Sequence, residues 1–118
     1  MKRPNVMLIC ADHWPGLLLG AQGHEYIHTH TLNQLCENGI LFNNACSSTP
    51  SCIPARRAIM TGTTAKTHGD RVFNQKLKMD KKLITMPQTF RNAGYQAYAV
   101  GKMHVYPQRD RIGLMMLY

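Results

Sequence analysis

The chain has 118 residues, 44% of them hydrophobic, which is the length of one domain with enough apolar material for a core and excludes a disordered chain. Fourteen Lys and Arg against six Asp and Glu leave a net charge of +8, a balance that suits an anionic partner. No apolar run approaches the roughly 20 residues of a membrane span, and four cysteines without a C-x-x-C pair do not make a disulfide scaffold.

Lys2 and Arg3 ahead of Val6-Met7-Leu8-Ile9 look like the start of a signal peptide, but the apolar run is short and no small-residue cleavage site closes it. A cytoplasmic, reduced setting is the expectation. Asn5 to Ala11 is a continuous apolar run cut off by Asp12, His13, Trp14, Pro15 and Gly16, the pattern of a buried strand that stops abruptly. Leu32, Leu35 and Cys36 fall at helical spacing with Gly39 as a stop, which predicts a short helix over 31–38. Ile40 to Ala45 is apolar again and turns polar through Ser47, Ser48, Thr49, Pro50 and Ser51, a second strand feeding a loop.

Pro54 then stands in the first turn of a helix that runs to Met60, with Gly62 as its stop. The stretch from Lys76 to Lys82 reads as a solvated face or a hairpin. Thr85 can cap a helix that has Pro87 in its first turn, Phe90 toward the core and Gly94 at its end. Tyr95 to Val100 reads as the last strand. This order of strands and helices predicts an α/β fold with a mainly parallel sheet flanked by helices.

Ligands of such sheets bind beyond the carboxyl ends of the strands, where three polar clusters fall: Asp12 with His13, Ser51-Cys52 to Arg56, and Lys102 with His104. Singly, each has an ordinary explanation as a cap or a core residue; their convergence points to a site. Cys52 stands at the amino end of a helix, where free N–H groups favour an anion, and Arg56 lies one turn on. That is a nucleophile with a cationic partner, suited to a tetrahedral oxyanion. Asp12 offers a hard oxygen ligand for a divalent cation and Lys102 a point charge for substrate oxygens. His24, His28 and His30 read as loop histidines, Cys10, Cys36 and Cys46 as small core residues. Trp14 either lines a pocket or packs under its loop. Lys and Arg are scattered without aromatic interleaving, so no nucleic-acid partner is expected.

Cys52-Ile53-Pro54-Ala55-Arg56 followed by Met60-Thr61-Gly62 resembles the C-x-P-x-R and apolar-T-G signature of the sulfatases. Pro4-Asn5-Val6 leading to Asp12 is similar to the family's opening strand. Thr29 to Gly39 is similar to its T-P-x-L-x-x-L-x-x-x-G helix, with His30 for proline. Gly94-Tyr95 and Gly101-Lys102-Met103-His104 resemble its G-Y strand and G-K-W-H motif, with Met103 for tryptophan. With these motifs in order along nearly the whole chain, it is identified as a member of the sulfatases of the alkaline phosphatase superfamily.

The resemblance implies that a formylglycine-generating enzyme oxidises Cys52 to formylglycine, the nucleophile toward a sulfate ester. Arg56 would then stabilise the oxyanion, Lys102 would contact nucleophile and sulfate, and His104 would orient or protonate. Asp12 and His13, with the converted Cys52, would hold the metal, normally calcium. His13 stands where sulfatases commonly carry a second aspartate, as in relatives that hydrolyse phosphonate or phosphate esters, and its neutral imidazole admits manganese or another transition metal.

Family members run to several hundred residues, so residues 1–118 are expected to be the N-terminal part of a catalytic domain, lacking the distal metal ligands and a further lysine. The ending Gly113-Leu114-Met115-Met116-Leu117-Tyr118 can arise from codons for Gly-Phe-Asp-Asp-Val-Ile after loss of one thymine, which suggests a frameshifted or truncated product. A non-catalytic remnant is the competing expectation, with a homo-oligomer covering an exposed sheet edge or face.

Overall fold

The computed structural model describes residues 3–73, 77–80, 82–106, 113 and 115–116. Its chain divides into two units, Met1–Ala45 and Cys46–Tyr118.

In the first unit, α1 (His30–Asn38) ends at Gly39, one residue longer at its start than the expected helix. Single 3-10 turns at Gly16–Leu18 and Gly20–Gln22 precede it. They are tied to α1 by polar contacts. The Gly20 amide donates to Thr29 Oγ1 at 2.9 Å, the Ala21 amide to Asn33 Oδ1 at 2.9 Å, and Thr29 Oγ1 to Asn33 Oδ1 at 2.8 Å. Gly20 permits that approach, because a Cβ there would stand 2.8 Å from Asn33 Nδ2. Leu32 and Leu35 are exposed and, with Trp14, Leu19, Ile40 and Phe42, line an open apolar groove of about 360 Å³. Trp14 is therefore a groove residue.

The expected strands over 5–11 and 40–45 form no ladder among the described residues. Met7 is 84% exposed and Ile9 75%. Apolar runs become strands only when neighbouring backbone closes their hydrogen bonds, and no described residue does so here. Cys10 and Cys46 are likewise exposed, not core; Cys36 and Cys52 are half-buried, and none of the four is in a disulfide.

The second unit carries a core. In α2 (Cys52–Thr61), Pro54 occupies the first turn, where its missing N–H costs no helical bond. Gly62 closes α2 in the left-handed region, φ 63°, with its amide on the Ala58 carbonyl. A single turn, α3 (Ala65–His68), follows, too short to show in the hydrophobic pattern. α4 (Met86–Asn92) begins with the expected Thr85 cap, completed as a capping box with Gln88. Phe90 is half-buried and meets the Tyr95 ring edge-on at 5.2 Å.

The last expected strand shrinks to β1 (Tyr98–Ala99), which pairs in parallel with β2 (Met115–Met116). Met60, Met79 and Val105 are buried together, with Leu83, Met86, Ala97, Ala99 and Met103 packed around them. Lys78 and Lys82 are exposed as expected; Lys76, Lys81 and most of the stretch from Arg111 to Tyr118 lie outside the described residues. Among the described residues no helix is long and apolar enough to cross a membrane.

Candidate active site

Cys52 is the first residue of α2, and Ser51 before it is extended and provides no side-chain cap. The first-turn N–H groups of α2 thus keep their pull on an anion beside the Cys52 sulfur. Cys52 is half-buried. Its Sγ lies 3.9 Å from Lys102 Nζ, which comes from the loop beyond β1. That loop turns at Gly101, φ 90°, a conformation that a Cβ would strain.

Arg56, one turn along α2 from Cys52, donates through Nη1 to the Lys102 carbonyl at 2.6 Å. The same arginine therefore fixes the backbone of the residue whose ammonium reaches the thiol. The Lys102 ammonium and the amino end of α2 beside one sulfur suit an anion, so the thiol sits in an anion receptor to which Arg56 is attached through the Lys102 backbone. Lys102 is exposed and Arg56 partly so, which leaves the receptor open to solvent and to a ligand.

His104 is oriented differently. It sits in the left-handed region at φ 49°, uncommon for a residue with a side chain and worth about 1–3 kcal/mol of strain. Its ring meets Phe73 edge-on at 5.7 Å. Its Nδ1 is buried without a hydrogen-bond partner among the described residues. The structure brings Cys52, Arg56 and Lys102 together; the contact of His104 is with Phe73.

Asp12 and His13 lie in the first unit, adjacent on an exposed turn, with His13 also left-handed at φ 56°. A carboxylate beside an imidazole, both open to water, fits a divalent cation whose remaining positions are filled by solvent or other ligands. His24 has a local role, since its Nδ1 accepts from the Tyr26 and Ile27 amides. His28 and His30 stack at 5.7 Å, both exposed, with His28 in the loop as expected and His30 instead the first residue of α1.

Arg57 and Asp70 escape the sequence reading altogether. Arg57 is 0% exposed and Asp70 1%. Arg57 Nη1 lies 3.4 Å from Asp70 Oδ2, and its Nη2 donates to the Leu77 carbonyl. Burial lowers the Arg57 guanidinium from its ordinary value while Asp70 raises it; arginine stays charged through the whole neutral range. The sequence carries no local signal for the pair, since two adjacent arginines about a quarter-turn apart can both lie on a solvent face.

The sulfatase family profile matches residues 4–111. An arylsulfatase of Clostridium perfringens is 38% identical over 111 residues, covering 94% of this chain and 23% of that protein. The multifunctional alkaline phosphatase superfamily protein PehA of Trinickia caryophylli is 30% identical over 106 residues, 86% of this chain and 20% of its own length. In the crystal structure of the phosphonate monoester hydrolase of Agrobacterium radiobacter, the match has a TM-score of 0.78 at 26% identity, over 97% of this chain and 25% of that one. The chain thus spans between a fifth and a quarter of these proteins.

Proposed function

The chain belongs to the sulfatase family, with the α/β fold of the alkaline phosphatase superfamily, and from that premise we propose that it is the N-terminal part of a catalytic domain that hydrolyses sulfate esters. The observation that carries this reading is the 3.9 Å approach of Lys102 Nζ to Cys52 Sγ at the open end of α2, braced by Arg56. Formylglycine made from Cys52, once water adds to its aldehyde to give the gem-diol, would supply one hydroxyl to attack sulfur and a second to expel sulfate and regenerate the aldehyde, which a thiol cannot do. Lys102 binds the sulfate oxygens and Arg56 neutralises the charge that develops on them. His104 orients the ester or protonates its leaving oxygen.

Asp12 and His13 are the proposed metal donors, with the converted Cys52 as a further ligand. Calcium suits the carboxylate, manganese the imidazole. Such an ion would polarise the ester oxygens and lower the cost of charge at the nucleophile. A reduced, cytoplasmic setting suits four cysteines that form no disulfide. β1 and β2 form a two-stranded sheet among the described residues, so a second copy could extend it.

The test is the mass of the Cys52 peptide after co-expression with a formylglycine-generating enzyme. Conversion of the thiol to the aldehyde is the expected result; an unchanged cysteine in soluble, folded protein would count against the assignment. The isolated 118 residues should show no turnover, because nucleophile, metal and charge receptors act as a unit. Turnover by the short chain, lost in Cys52→Ala, would confirm the nucleophile and overturn the partial-domain reading.

A second reading is a phosphonate or phosphate ester hydrolase of the same superfamily. His13 beside Asp12 favours it, as does the likeness to the phosphonate monoester hydrolase. Comparing sulfate, phosphate and phosphonate esters of one alcohol on a full-length relative carrying these residues would separate the two.

A further inference from the structure

Taking Cys52, Arg56, Lys102 and His104 as one site, as the reading above does, we propose that the buried Arg57–Asp70 pair is a positioning device for that site, holding α2 and the His104 loop in register through Phe73. Arg57 directly follows Arg56. Their side chains leave α2 about a quarter-turn apart, so the inward grip of Arg57 sets the direction in which Arg56 points.

Arg57 has two partners beyond α2, Asp70 Oδ2 at 3.4 Å and the Leu77 carbonyl. The planar fork is held by one hydrogen bond, to the Leu77 carbonyl, and by the opposite charge of Asp70, with which it makes no hydrogen bond, and it resists rotation of its helix more than an apolar side chain in the same space does. Rotation of α2 would carry Cys52 away from Lys102 Nζ and Arg56 away from the Lys102 carbonyl together.

Asp70 begins the other half of the device. Phe73, three residues on, presses edge-on against the His104 ring at 5.7 Å. His104 keeps a left-handed backbone, a conformation that persists only where its surroundings impose it. One short segment therefore grips α2 through Asp70 and His104 through Phe73.

Stability alone does not explain the pair. Two charges that are 0% and 1% exposed have lost their hydration, and an apolar pair of similar volume is often as stable or more so. Direction is what an apolar pair would not reproduce. Arg57 and Asp70 touch no substrate in this scheme; they act through Arg56, Cys52 and His104.

The test compares the parent chain with the paired variant Arg57→Met/Asp70→Leu and with Arg57→Lys. Alkylation of Cys52 by iodoacetamide is followed peptide by peptide, with the exposed Cys10 as internal reference, and the His104 ring resonances are followed by NMR. The paired variant should keep the parent's thermal midpoint or exceed it. Its Cys52 alkylation rate should nevertheless change by roughly threefold to tenfold, as expected of residues in one contact network, and the His104 resonances should move. Arg57→Lys, which keeps the charge without the fork, should shift both readouts in the same direction by less.

Folded variants with Cys52 and His104 unchanged would overturn the inference. So would unfolding of both variants, which would make the pair a determinant of the fold and not of the site. Neither readout needs ester turnover or aldehyde formation. A parent chain that resists conversion of Cys52 would therefore sink the hydrolase reading without touching this one.

Discussion

Met1–Ala45 is held together by exposed and half-buried polar contacts among Gly20, Ala21, Thr29 and Asn33, whereas Cys46–Tyr118 is held by buried Met60, Met79 and Val105 and by a buried ion pair. No described residue of the first unit is buried. Hydrogen bonds in reach of water are worth about 0.5–1.5 kcal/mol each, while burying one large apolar side chain contributes roughly 1.5–3 kcal/mol. The contrast has a chemical counterpart. The groups that need fixed geometry, Cys52, Arg56 and Lys102, grow from the unit with a core. The expected metal donors Asp12 and His13 stand on the unit without one, where an ion can itself order its ligands.

The largest expected effect tests this contrast at its extremes. Asp70→Ala leaves Arg57 buried and charged without its acid, which should cost roughly 3–5 kcal/mol. Met7→Ala, at a position 84% exposed, should stay within about 0.5 kcal/mol. Urea unfolding of the two variants measures both. Similar losses would mean that Met7 is covered in solution and that the first unit has a core after all.

Much of this was legible because helix ends are written locally. Pro54 and Gly62 bracket α2, Thr85, Pro87 and Gln88 start α4, and Gly39 stops α1. Strands are not local objects, so the apolar runs over 5–11 and 40–45 announced a tendency whose partners no nearby residue supplies. The Cys52–Arg56 half of the site was legible for the same reason as the helices: one turn separates them. Lys102 was legible from its place after the last strand and from its motif, but not its contact with the thiol, since 50 residues separate the two in sequence. Nothing local marks Asp70 as the partner of Arg57, and Phe73 looks like any aromatic residue in a polar stretch until His104 is placed against it.

A middle-sized effect is expected where the second unit relies on a single local device. Thr85 is fully buried. Its Oγ1 accepts from the Gln88 amide at 3.3 Å, while its own amide donates to Gln88 Oε1 at 2.8 Å. Thr85→Ala removes the first bond and leaves an amide at the helix start unsatisfied. The loss should lie at the upper end of the range for caps, about 1–2 kcal/mol, because water has little access to replace the hydroxyl. Thr85→Ser, which keeps the oxygen, should recover most of it.

The smallest effect sharpens the account of the first unit. Asn33 Oδ1 accepts from the Ala21 amide at 2.9 Å and from Thr29 Oγ1 at 2.8 Å, so Asn33→Ala removes two bonds at once. Both were made in reach of water, which takes them over, and the net cost should be below about 1 kcal/mol. Amide hydrogen exchange reads the consequence more finely than a melting curve does. The Ala21 amide loses its acceptor and should exchange much faster. The Gly20 amide donates to Thr29 Oγ1, which survives the substitution, so it should accelerate far less. Equal acceleration at both amides would show that Thr29 is held in place only by Asn33, and that the polar contacts of this unit form one cooperative knot in place of separable bonds.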